Sequence, residues 1–137
     1  MASLVKITGM STVLGNLKRA EVSVGIRAAV GLKAAGIFLQ RESQRLVPVD
    51  TGDLKASAFT RSSGFGAATT VTVGYTKKYA MFVHEAVGMK LQGQKRTGEG
   101  AKGRYWDPQG RAQAKFLEEP SRRLRVQIRA IIKRHIT

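Results

Sequence analysis

The stretch KRAEVSVGIRAAVGLKAAGIFLQRESQRL, residues 18–46, decides the reading of this chain. It is rich in Ala, Leu, Lys, Arg and Gln, all good helix formers. Val22, Ile26, Ala29, Val30, Ile37 and Phe38 recur at three- and four-residue steps, with Lys33 on the same side. Leu32, Ala35, Leu39 and Leu46 widen that stripe. The spacing predicts one long helix with this stripe as its buried face. Gly25, Gly31 and Gly36 each weaken a helix by about 1 kcal/mol relative to Ala. On a buried face, however, glycines let another backbone come close. Pro48 ends the helix, because it disfavours the α region at Val47.

Upstream, Val5-Lys6-Ile7-Thr8 alternates and predicts a short strand, which Gly9 breaks. Ser11 or Thr12 can cap a helix that carries Leu14 and Leu17 on one face. Downstream, Leu54 to Arg61 reads as a strand and residues 62–66 as a turn. Thr69 to Tyr75 is a second, β-branched strand, giving an antiparallel hairpin. Lys78 to Ala86 predicts a short helix with Tyr79, Phe82 and Val83 at helical spacing. Gly88 to Gly110 holds six glycines and almost nothing aliphatic, and is expected to be a long mobile loop. Tyr105 and Trp106 could anchor its end. A last helix is expected to start near Pro120, led by Glu118 and Glu119 at its positive end. The expected fold class is α+β: a long N-terminal helix packed on a small antiparallel sheet, a short middle helix, a long loop and a C-terminal helix.

At 137 residues the chain is expected to form a single domain spanning residues 1–137. Charge is the unusual quantity: 24 Lys and Arg against 9 Asp and Glu, a formal +15. That favours an anionic or acidic partner: nucleic acid, a membrane surface or an acidic protein face. Zero cysteines exclude a disulfide framework, thiolate metal sites and a cysteine nucleophile. With two histidines and few acids, a transition-metal site lacks ligands. The N-terminus lacks a signal-peptide pattern. The most apolar run, Ala28 to Leu39, is interrupted by Lys33 and reads as too short to span a bilayer. The expectation is a soluble chain, made and used in a reducing compartment, with no membrane partner.

Asp50-Thr51-Gly52 spells the tripeptide around an aspartic protease's catalytic Asp, where two such residues share a proton. Here it follows Val47-Pro48-Val49 at a helix exit, and a turn stabilised by Asp and Gly accounts for it as well. His84-Glu85 begins like a zinc-protease helix, but Gly88 stands where the second His belongs. The other histidine, His135, falls on an apolar helix face. Gly64-Phe65-Gly66 lacks the rest of a phosphate loop. No catalytic constellation emerges, and the chain reads as a non-enzyme without cofactors. The remaining signals are basic. One is the loop with Lys90, Lys95, Arg96, Lys102 and Arg104 beside Trp106. The other is the helix stripe Arg122, Arg125, Arg129 and Lys133. Basic residues with interleaved aromatics can track a nucleic-acid backbone, and a solvated helix face with a soluble loop accounts for the same residues.

Leu46-Val47-Pro48-Val49-Asp50-Thr51-Gly52-Asp53-Leu54-Lys55-Ala56-Ser57 resembles the "vPvdTGxLrxS" signature of a tailed-phage neck and tail-completion family, similar to the minor tail protein Z type. Tyr79-Ala80-Met81-Phe82-Val83-His84-Glu85-Ala86-Val87-Gly88 is similar to its "YAxfvExG" helix, with one extra residue before the glycine. Lys115-Phe116-Leu117-Glu118-Glu119-Pro120-Ser121 is similar to its "pFLxPAl" segment, again with one residue inserted. Ile7, Gly9, Met10, Leu14, Leu17, Lys18 and Arg19 resemble its N-terminal pattern. The match runs in order over most of the chain and departs at Gly88–Gly110 and the basic tail.

The resemblance implies an α+β structural virion protein that acts by assembly, without catalysis, at the head–tail junction. It implies a homo-oligomeric ring, a hexamer, between connector or head-closure proteins and tail-terminator or tail-tube proteins, present in host cytoplasm during assembly. Genomic DNA in the lumen is a further candidate contact. Within that reading Pro48, Asp50, Thr51, Gly52 and Leu54 form the motif turn, and Tyr79, Phe82, Val83 and Glu85 a packing or interface helix. Residues 88–110 would be the docking loop. A basic nucleic-acid-binding module is the alternative.

Overall fold

The structure is a computed structural model that describes residues 6, 8–48, 52–85 and 114–137. Its elements in chain order are α1 (Met10–Leu46), α2 (Asp53–Ala56), β1 (Ala58–Ser63), a 3-10 turn (Gly66–Ala68), β2 (Thr70–Tyr75), α3 (Ala80–Glu85), α4 (Glu118–Arg123) and α5 (Arg125–Ile136). This is the α+β arrangement expected: a long helix against an antiparallel hairpin, short helices and a C-terminal helix.

α1 is longer than the Lys18–Leu46 stretch. It absorbs the segment around Leu14 and Leu17 and runs 37 residues, about 55 Å at 1.5 Å per residue. Its N-cap is Gly9, at φ 83°, not Ser11 or Thr12. Gly9 takes the left-handed backbone that glycine adopts without cost, and its carbonyl accepts the Val13 N–H at 3.0 Å. At the other end Val47 is extended and Pro48 follows, so the expected stop holds.

The face that α1 buries takes in only part of the apolar stripe: Ala35 is buried and Ala29, Leu32, Phe38, Leu39 and Leu46 are half-buried. Val22, Ile26, Val30 and Ile37 are each 42–52% exposed, whereas Gly25, Gly31, Ala35, Gly36 and Ser43 are buried. The reason is reach. A Cβ on Gly31 would lie 3.0 Å from the Ile132 backbone of α5, and one on Gly36 would lie 2.7 Å from Val71 of β2. Small residues admit the hairpin and α5 to van der Waals contact with the α1 backbone, and larger ones on that face would hold them off. Leu32, Phe38, Leu39 and Leu46 flank this face, half-buried.

β1 and β2 pair antiparallel from Ala58 opposite Tyr75 to Ser63 opposite Thr70. β1 begins later than the expected Leu54: Gly52, at φ 89°, opens the single turn α2, which carries Leu54 into the core. Ser57 closes that turn through its N–H to the Asp53 carbonyl and its Oγ to the Leu54 carbonyl. The strand then runs through Ser63, and the reversal falls at Gly64 and the 3-10 turn. Of the strand expected at Val5–Thr8, Lys6 and Thr8 lie outside any strand, and Val5 and Ile7 lie outside the described residues.

The expected C-terminal helix is two helices. Glu118 begins α4, Pro120 sits in its first turn, and Leu124 (φ −97°, ψ 16°) separates it from α5. α5 packs along α1 with Ile132 and His135 at Gly31, so the apolar helix face that carries His135 is a packed one. The core proper is small: Val47, Leu54 and Phe116, with Leu46, Tyr75, Ala80, Val83 and Leu117 packed around them.

α1 has the length and composition of a membrane-crossing helix over an 18-residue window, of which 22% is buried inside the structure. That corrects the reading of Ala28–Leu39 as too short. The same apolar content reflects two faces of one helix, only one of which the described residues cover.

Candidate docking faces

Three places concentrate chemistry: a clamp around Phe116, a basic row on α5, and the uncovered apolar surface of α1 and α3.

Phe116 is 1% exposed and fills the space between Val47 and Leu54. Tyr75 and His84 both meet its ring edge-to-face, at centroid distances of 5.1 and 5.0 Å. Such pairs add about 0.5–1.5 kcal/mol each beyond burial. A polar shell closes over it. The His84 carbonyl accepts the Lys115 backbone N–H at 2.7 Å. His84 Nε2 accepts the Glu118 N–H at 3.4 Å, which leaves Nδ1 to donate to Glu85 at 2.9 Å. The Lys115 ammonium pairs with Glu85 and reaches Glu118 at 3.3 Å. The hydrogen bond from Lys115, then that from His84, lowers the Glu85 carboxyl's pKa. The same bond from Glu85 raises that of Lys115. Lys115 holds a left-handed backbone, φ 57°, an uncommon state for a non-glycine residue that its backbone and side-chain bonds support.

The clamp fastens α3 to the start of α4. Positions 85 and 115 are therefore neighbours. The sequence-derived docking residues Lys90, Lys95, Arg96, Lys102, Arg104 and Trp106 lie outside the described residues, as do Asp50 and Thr51 of the motif turn. Of that turn, Pro48 and Leu54 are buried and Gly52 holds the left-handed conformation. Of the interface helix, Val83 joins the core. Tyr79 precedes α3 and is exposed, and Phe82 is 77% exposed beside exposed Met81.

The basic stripe divides between two helices. Arg122 belongs to α4 and pairs with Glu118 at 2.5 Å. Arg125, Arg129 and Lys133 form an exposed row on α5 at four-residue spacing, about 6 Å apart along the axis. None has an acidic partner among the described residues. α5 itself contains no acid.

A second polar seam ties α1 to the hairpin. Buried Ser43 shares a 2.7 Å hydrogen bond with the Tyr75 hydroxyl, whose pKa burial pushes up to about 12. The Thr60 hydroxyl donates to Gln40 at 2.6 Å. Sequence reasoning missed both the seam and the central role of Phe116. The signal for the latter was an aromatic-aliphatic pair, Phe116-Leu117, set in a polar run. Among the described residues no group of three His, Asp or Glu could hold a metal ion.

No family model, curated protein or solved structure matches this chain.

Proposed function

We propose that this chain is a structural subunit of the tailed-phage head–tail junction, assembling as a ring that joins the capsid connector to the tail. The observation that carries the reading is the apolar surface that the described residues leave uncovered. Met10, Val13, Leu14, Leu17, Val22, Val24, Ile26, Val30 and Ile37 of α1, with Met81 and Phe82 of α3, are all exposed. Exposed apolar side chains in this number among the described residues support an interaction surface. The ordered resemblance along the chain supports a neck or tail-completion role. So does the agreement between the α+β fold and the fold that resemblance implies. In this reading the protein works by complementary surfaces, without catalysis or cofactor, and resides in the virion. Its neighbours are further copies, a connector or head-closure ring and the tail end.

Replacing Lys95, Arg96, Lys102 and Arg104 together with Ser tests the docking role. Particles should then accumulate as separate heads and tails while the purified protomer keeps its helical circular dichroism. Normal infectious particles would refute the proposal.

A nucleic-acid-binding module is the second reading, favoured by the Arg125–Arg129–Lys133 row and the charge of +15. It requires affinity for duplex DNA whose logarithm falls with log salt by about 0.9 per phosphate contacted. A flat dependence would remove it.

A further inference from the structure

α4 and α5 carry their cations in different ways. In α4 each arginine has a carboxylate one turn ahead of it: Arg122 pairs with Glu118 and Arg123 with Glu119. α5 has no carboxylate along its twelve residues. Arg125, Arg129 and Lys133 stand exposed on it, with no acidic partner among the described residues. Their four-residue spacing puts like charges one turn apart, which weakens a helix. Arg125 also opens α5, where a cation meets the positive end of the helix dipole, and the first turn holds no acid to offset it. Of the three, only Lys133, in the last turn, sits where the dipole favours a cation. The row therefore works against the stability of its own helix. Breaks of local rule of this kind belong to functional sites. α5 itself is fixed, because Ile132 and His135 pack on α1 at Gly31. The row is thus held exposed on a supported element.

We propose that the Arg125–Arg129–Lys133 row binds the phosphate backbone of duplex DNA, whatever its base sequence. This inference rests on the nucleic-acid reading, and names the element that makes the contact and the part of the duplex it meets. The surface chemistry selects the partner. A protein interface has an apolar centre with charges at its rim. α5 exposes one large apolar side chain, Val126. Cations without an apolar centre fit a partner held chiefly through charge, as the phosphate backbone is. Each DNA strand offers a phosphate about every 3.4 Å of duplex axis, dense enough to meet cations about 6 Å apart. Indifference to sequence follows from the side chains themselves. Arg and Lys carry donors only, whereas telling the bases apart in a groove uses mixed patterns of donors and acceptors. Gln127, the one amide of α5, lies on another side of the helix from the row by its spacing.

Fluorescence anisotropy of a short labelled duplex, titrated with the full chain over a range of salt, tests the contact. Arg125→Gln/Arg129→Gln/Lys133→Gln keeps good helix formers at all three positions, so the variant should retain the helical circular dichroism. With the repulsion along α5 removed, it should unfold at a higher urea concentration than wild type. Its affinity at low salt should fall at least tenfold, and the steepness of its log–log salt dependence by about 2–3, at about 0.9 per phosphate. A variant that unfolds at lower urea would overturn the proposal, because the row would then serve the fold. If wild type binds and the variant binds with an unchanged slope, the row is wrong and the nucleic-acid reading survives on other basic residues. If wild type fails to bind the duplex at low salt, that reading itself fails. Duplexes rich in A·T and in G·C should bind wild type alike, and a strong preference would overturn the backbone contact in favour of base readout. Poly-L-glutamate at equal charge should compete poorly. If it displaces the duplex as well as unlabelled duplex does, the proposal falls in favour of an acidic protein face.

Discussion

Glycine plays opposite roles at different positions of α1, and two substitutions separate them. A Cβ on Gly31 would lie 3.0 Å from the Ile132 main chain, tighter than almost all Cβ contacts, and main chain in a packed helix gives less readily than the end of a flexible side chain. Gly31→Ala should therefore cost about 1–3 kcal/mol, the usual penalty for overpacking. Gly15, on the exposed arm, has nothing within 4 Å of an added Cβ. Gly15→Ala should stabilise by up to about 1 kcal/mol, since glycine is the poorer helix former. Urea unfolding of both variants checks this, and a shared sign would sink the close-approach account of α1. The Ser43–Tyr75 bond makes a second residue-scale prediction. Tyr75→Phe leaves a buried hydroxyl without its partner and should cost about 1–3 kcal/mol near neutral pH. The tyrosine is harder to ionise when folded, its pKa being raised from 10.0 to about 12. Its contribution is thus fully present below pH 10 and is lost as pH rises toward 12. The stability difference between wild type and Tyr75→Phe should shrink across that window. Absorbance at 295 nm should show one late-ionising tyrosine in wild type that the variant lacks.

At the level of elements, packing decides what periodicity leaves open. α1, β2, α3 and the C-terminal helical region were all legible because each repeats its apolar residues at the period of its own backbone. Which face of α1 is buried was not legible. Val22, Ile26, Val30 and Ile37 carry the larger apolar area, yet Gly25, Gly31 and Gly36 decide the contact: the first two admit the backbones of Ala67 and Ile132, and Gly36 admits the side chains of Val71 and Thr60. The α2 turn was hidden for a related reason. Leu54-Lys55-Ala56 can be helix or strand, and the left-handed Gly52 selects the turn. The Phe116 clamp was invisible because it joins residues about thirty positions apart. It is also where the short elements hold together. Phe116→Ala should cost about 3–5 kcal/mol, as core aromatic truncations do. Amide hydrogen exchange should then speed first in α3 and α4, before the centre of α1. Uniform acceleration across all elements would show that the clamp is not a separable unit. Glu85, whose carboxyl pKa is lowered, adds stability above the ordinary carboxylate range that is lost as pH falls through its folded value. It is exposed, so Glu85→Gln should shift acid unfolding only slightly.

For the molecule as a whole, the +15 charge and the apolar faces pull in opposite directions, and salt separates them. Copies of a strongly cationic chain repel one another at long range, with a Debye length of about 10 Å at 0.1 M salt. The exposed side chains of α1 and α3 through which copies would meet are chiefly apolar, so screening that repulsion should strengthen association. Sedimentation between 50 and 500 mM NaCl should show the oligomer growing at a fixed protein concentration. Binding to DNA follows the reverse rule, because each phosphate neutralised releases counterions. If the exposed α5 row meets DNA, Arg125→Ser/Arg129→Ser/Lys133→Ser should reduce the steepness of the log–log salt dependence by about 2–3, at about 0.9 per contact. The row is a different set of residues from the exposed apolar ones of α1 and α3, so the triple variant should leave the oligomer's salt response unchanged. Loss of oligomer in that variant would mean the basic row is itself a subunit contact. An oligomer that dissolves as salt rises would mean that opposite charges, rather than apolar faces, hold the copies together.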